Sequence, residues 1–85
     1  MSTLEIVSAW YGTEKDVVGD DITSIVKKFI AEGRTSIAAE NDFLGVHPCV
    51  GYVKTMWVTY SVDGGETKKV VETPERETLD VSTLV

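Results

Sequence analysis

The ten residues from Val53 to Val62, VKTMWVTYSV, contain no glycine, proline or acidic side chain and include three valines, two threonines, a tryptophan and a tyrosine. Branched and aromatic side chains at that density suit a pleated, half-buried surface, so the segment is predicted to be a strand. Asp63-Gly64-Gly65 follows at once. Such a turn accepts the backbone angles of a tight hairpin and sends Glu66 to Glu72 back alongside, until Pro74, which lacks the N–H that a ladder needs. An antiparallel sheet with one buried face is therefore the frame into which the other segments must fit.

Leu4 to Tyr11 alternates as a strand, with Val7, Ala9 and Tyr11 expected toward the core and Ile6, Ser8 and Trp10 on the other side. Gly12 is expected to end it, and GTEKDVVGDD, residues 12–21, is expected to be a surface loop with Gly19 in a turn. A helix is predicted over about 23–32, capped by Asp21 or Thr23, burying Ile25, Val26, Phe29 and Ile30 as one stripe and stopped by Gly33. Thr35 to Asn41 reads as a second strand, Asn41 to Gly51 as an irregular loop, and Leu79-Asp80-Val81 as a short edge strand. The expected fold is a single small α+β domain, residues 1–85, with a mainly antiparallel sheet, one helix and a C-terminal hairpin. A β-sandwich in which the helix is a short connection is the alternative.

Size and charge bound the function. With 85 residues the chain hides only about 60–65% of its unfolded surface, which leaves little room for a deep substrate cavity. Fourteen acidic residues against eight basic ones set the formal charge at -6, a field that repels a phosphate backbone, and the lysines and arginines form no stripe. No nucleic acid partner is expected. No apolar run approaches the length of a membrane span and MSTLEIVSAW lacks the pattern of an export signal, so no membrane insertion is expected and the cytoplasm is the default compartment.

Leu44 to Tyr60 holds the single histidine and the single cysteine, as His47-Pro48-Cys49. A reactive thiol needs a base within hydrogen-bond reach, whereas the proline restricts the backbone on both sides and turns the two side chains apart. The stretch is expected to be a turn that feeds the strand. One histidine and one cysteine at this spacing match no zinc motif. No catalytic residue, metal site or cofactor is predicted. A cation held by the acidic loops, Asp16, Asp20 and Asp21 with Glu40 and Asp42, matches no EF-hand spacing; these side chains are expected to cap helices or face water.

Ala9-Trp10-Tyr11-Gly12, Asp21-Ile22-Thr23 and Pro48-Cys49-Val50-Gly51, followed by Lys54, Val58, Tyr60 and a glycine at 64 or 65, occur in the order found in one family. The chain resembles the C-terminal domain of unknown function of the DnaJ-like subfamily C member eleven proteins, over almost its whole length. His47 stands where that family carries an acid before the proline, so no role for that acid is carried over. The J domain is not in this sequence, and the resemblance implies no co-chaperone activity. It implies that Pro48 to Gly51 is a shaped turn leading to Lys54.

The tryptophans mark the surface of interest. If Met56, Val58, Tyr60 and Val62 face the helix, Trp57 lies on the other side with Thr55 and Thr59, and Trp10 joins it there with Ile6. An uncovered apolar face of this kind marks an interface. The expected function is a non-enzymatic protein-interaction or self-assembly module, working through Trp10, Trp57, Thr55, Thr59 and Ile6 or through a strand edge. Its partner is then a second copy or another protein. A lectin-like or calcium-dependent ligand-binding module is the alternative, and a small thiol enzyme centred on Cys49 the third reading.

Overall fold

The predicted hairpin is the centre of the molecule. In the computed structural model, which describes residues 4–46 and 51–84, β4 (Thr55–Val62) lies between β1 (Leu4–Glu14) and β5 (Lys69–Pro74). With β2 (Val18–Asp21) outside β1, the strand order is β2-β1-β4-β5, and each pairing is antiparallel. Asp63 and Gly64 both take positive φ, 55° and 71°, and the Gly65 N–H donates to the Val62 carbonyl at 3.0 Å. Both angles suit a tight turn, but the returning strand begins at Lys69, opposite Tyr60, and not at Glu66 as expected, so residues 66–68 lie between the turn and the ladder.

Two expectations about the first strand are corrected. Residues 12–21 are not a loop, because β1 continues to Glu14 and turns at residues 15–17, where Asp16 has φ 62° and the Val17 N–H donates to the Glu14 carbonyl at 3.1 Å. β2 then returns with Gly19 opposite Gly12. A Cβ on either glycine would collide with the facing backbone, so two missing side chains permit this approach. The second correction concerns phase. The register slips between Ile6 and Ser8, leaving Val7 as the extra residue of a β-bulge, so Ile6, not Val7, joins Ala9 and Tyr11 in the core.

The helix forms where predicted, as α1 (Thr23–Ala31), with Val26 fully buried and Ile25, Phe29 and Ile30 against the core. The cap expectation is corrected, since the N-cap position is Ile22 and no side chain caps it; the Asp21 carboxylate instead accepts the Thr23 N–H at 2.9 Å and the Thr23 hydroxyl at 2.5 Å, while that hydroxyl accepts the Ala9 N–H at 3.0 Å. Helix and sheet are thereby joined by one side chain. At the other end Gly33 takes φ 84°, its N–H reaching the Ile30 carbonyl and the Arg34 N–H the Phe29 carbonyl, which is the Schellman closure. Arg34 then lies 5.0 Å from the centre of the Phe29 ring.

β3 (Ser36–Ala38) is shorter than expected and pairs with β6 (Thr78–Asp80) as a separate two-stranded sheet. Within the expected loop, Asn41–Leu44 forms a single helical turn, α2, and Val81–Leu84 closes the described chain as a 3₁₀ turn. Tyr11, Met56 and Val58 from the large sheet, Ile22 and Val26 from the helix region, and Ile37 and Leu79 from the small sheet belong to one buried cluster. Among the described residues, every covering element thus lies on one face of the large sheet. The fold is a small α+β domain with a mostly antiparallel sheet and one helix longer than a single turn among the described residues.

Candidate functional site

The opposite face of the four-stranded sheet carries the tryptophans. Trp10 and Trp57 stand directly across from each other on β1 and β4, with Asp21 beside Trp10 on β2 and Glu72 beside Trp57 on β5. The four residues form one row across the whole sheet. The Trp57 indole N–H donates to Glu72 Oε1 at 3.0 Å, and the Trp10 indole N–H reaches the Val18 carbonyl at 3.4 Å. Each indole therefore extends its N–H edge over the outer strand on its own side. Trp10 can do so because Gly19 has no side chain: a Cβ there would come within 2.8 Å of the Trp10 indole nitrogen.

Adjacent rows place Ser8, Thr59 and Val70 on one side and Gly12, Thr55 and Pro74 on the other. Trp10, Trp57, Thr55 and Thr59 are partly exposed and Val70 is 51% exposed. Neither tryptophan is among the residues packed on the core. Residues 66–81 do not cover this face, since β5 extends the sheet sideways and β6 pairs with β3 on the core side; among the described residues no element packs over it. Four of the five residues expected here are thus brought together, and Ile6 is not, because the bulge turns it into the core at 6% exposure.

The charged residues that the paired strands place on this face have one sign. Glu5, Asp21 and Glu72 lie on it, whereas Lys69, the one lysine in the four paired strands, stands opposite Tyr60 on the other side. The Thr23 hydroxyl, followed by the Thr23 N–H, holds the Asp21 carboxyl below its ordinary range. The sheet edges offer less. β2 has four residues ending in Asp20 and Asp21, and β5 begins at Lys69 and ends at Pro74, features that discourage edge-to-edge pairing.

A second polar group lies on the core side, and sequence reasoning missed it. The Lys54 side chain is 3% exposed, and its ammonium lies 3.3 Å from Glu75 Oε1 and donates to the Tyr52 carbonyl at 3.0 Å. The same Glu75 oxygen accepts the Lys54 N–H at 3.0 Å, and the Glu75 N–H returns a bond to the Lys54 carbonyl at 2.8 Å. Lys54 N–H donation, then its ammonium, lowers the Glu75 pKa against the opposing effect of burial. Nearby, the Tyr11 hydroxyl donates to Asn41 Oδ1 at 2.9 Å, and burial, with Glu75 and Glu40 adding, pushes its pKa up to about 12. No buried side-chain polar atom among the described residues lacks a partner, so this group is a closed clamp. A lysine near a strand reads as surface in a sequence, and only the family resemblance singled out Lys54.

His47, Pro48 and Cys49 lie outside the described residues. Among those described, no three histidine, cysteine or acidic side chains lie close enough to hold a metal ion, so Asp16, Asp20 and Asp21 are not gathered with Glu40 and Asp42. No helix there is long and apolar enough to cross a membrane.

No family model matches the chain, and no solved structure matches it. A protein of Formosa agariphila, provisionally named a beta-glucuronidase, is 29% identical over 82 residues, which is 96% of this chain. The chain spans 7% of the length of that relative.

Proposed function

We propose that the chain is a non-enzymatic binding module whose working surface is the sheet face carrying Trp10 and Trp57. The observation that supports this reading is the row Asp21, Trp10, Trp57, Glu72: two large apolar side chains stand paired, tied by their N–H groups, and uncovered by the described elements. Tryptophan is the residue type that most often anchors an interface, and a pair left off the core has no stabilising role large enough to explain it.

A second copy of the chain is the weaker candidate for the occupant. Stacking two such faces sets Asp21, Glu72 and Glu5 against the same acids with no lysine or arginine among the paired residues of the face, and like charges brought together cost affinity. The lectin-like reading has a specific observation in its favour, the similarity to a segment of a far larger protein named as a beta-glucuronidase. A binding module attached to such a protein needs no chemistry of its own.

Thermal melting of Trp57→Ala tests the surface reading. A partly exposed cross-strand pair contributes at most ~1 kcal/mol, so the variant is expected to melt within about 8 °C of the parent. A loss of about 3–5 kcal/mol, the cost of deleting a core tryptophan, would make Trp57 a structural residue and end the reading.

A further inference from the structure

We propose that the ligand of this face is a neutral glycan chain lying across the strands, its sugar rings stacked on Trp10 and Trp57 and its hydroxyl groups donating to Asp21 and Glu72. The inference rests on the Trp10/Trp57 face being the working surface and names what occupies it. Three features carry it.

The first is the presentation of the rings. An indole face is electron-rich, and a pyranose ring offers a flat array of polarised C–H bonds that complements it, with hydroxyl groups around the rim. Trp57 is fixed by its bond to Glu72 Oε1 and Trp10 by its contact with the Val18 carbonyl and with Gly19, so both rings are held before a ligand arrives. Rigid aromatic side chains lose little entropy on binding.

The second is the row itself. Four strands spaced about 4.8 Å apart set Asp21 and Glu72 about 14 Å from each other with the two indoles between them. A row of that span, uncovered by the described elements, fits the interior of a chain several sugars long.

The third is charge. Carboxylates accept hydrogen bonds from sugar hydroxyls, and each has a second oxygen beyond those already bonded to Thr23 and Trp57. The same acids repel a polyuronate or a nucleic acid, and they repel their own copies in a stacked dimer. Thr55, Thr59 and Ser8 add hydroxyl groups that both donate and accept.

The test is native affinity electrophoresis in gels containing hydroxyethylcellulose, xylan, galactomannan or laminarin, with polygalacturonate as the anionic counterpart. Retardation by a neutral polysaccharide is expected, with isothermal titration showing affinity that rises with oligosaccharide length. Trp10→Ala and Trp57→Ala, checked for cooperative melting, should each bind at least about tenfold more weakly, and Glu72→Gln should bind more weakly than the parent. Failure of all four neutral polymers, retardation by polygalacturonate alone, or unchanged binding in both Trp10→Ala and Trp57→Ala would overturn the proposal. A dimer in sedimentation that Trp57→Ala dissolves would give the face to a second copy, and binding of oligolysine alone would give it to a basic protein. Those results would sink the glycan and leave the surface reading standing, because that reading is decided by the melting of Trp57→Ala.

Discussion

Single residues carry more than one duty in so small a domain, and Tyr11 is the clearest case. Its ring belongs to the core cluster, while its hydroxyl ties β1 to Asn41 at the start of α2. The alternation from Leu4 to Tyr11 placed Tyr11 inside, but its partner, 30 residues away, had no signal in the sequence. A folded-state pKa raised from 10.0 to about 12 means that the unfolded chain loses the phenolic proton first. The associated stability is complete below pH 10 and is lost as the pH rises toward 12. Tyr11→Phe is expected to cost ~1 kcal/mol at neutral pH and to flatten that alkaline loss, as read from melting temperatures across the range. A parent and a variant with parallel alkaline curves would show that another group governs it.

Among the elements, the β1–β2 hairpin was misread because its evidence is the absence of side chains. Glycines and acids on an edge strand carry no apolar alternation, so residues 12–21 looked like loop, although Gly12 and Gly19 are what let β2 close on β1. Gly19 has φ 147° and a Cβ there would strike Tyr11 and Gly12 backbone atoms, whereas a Cβ on Gly33, at φ 84°, meets nothing within 4 Å. Gly33→Ala is therefore expected to cost only the left-handed penalty of about 1–2 kcal/mol. Gly19→Ala should cost more, since backbone must also move, and should displace the Trp10 indole. Urea unfolding of the two variants ranks them, and equal midpoints would refute the close-approach argument. The Val7 bulge escaped for a related reason, because an inserted residue leaves composition unchanged and shifts only the phase, which exchanged Ile6 for Val7 in the core.

At the scale of the whole molecule, the clamp between Lys54 and Glu75 extends the β4–β5 ladder by one pair up to the turn before β6, and in that turn the Arg76 N–H reaches the Ala39 carbonyl beside β3 at 2.9 Å. Breaking a buried pair strands the remaining charge. Glu75→Gln should destabilise by about 1–3 kcal/mol, less than for a fully buried pair because the Glu75 side chain is 20% exposed and Lys54 keeps its bond to Tyr52. Glu75 and Asp21 both have folded-state pKa values below their ordinary 4.5 and 3.8, so the unfolded chain binds protons first on acidification. Their contribution is present above pH 4.5 and is lost as the pH falls through the lowered values. The Glu75→Gln variant should accordingly lose less stability than the parent between neutral pH and pH 3; an equal loss would remove Glu75 from the acid response.

By itself the sequence determined the local elements: β4 and its Asp63-Gly64 turn, the helix and its Gly33 stop, and the sides on which Trp10 and Trp57 fall. Each follows from interactions within a few residues, such as a side-chain period, a cap or a positive φ. Only the tertiary structure decided that Trp10 and Trp57 are opposite each other, that β5 widens the sheet instead of covering it, that β6 pairs with β3, and that Lys54 is buried against Glu75. Those depend on the register between distant strands, and register is chosen by the packing of the entire core against one face, a sum over many weak contacts that no short stretch of sequence contains.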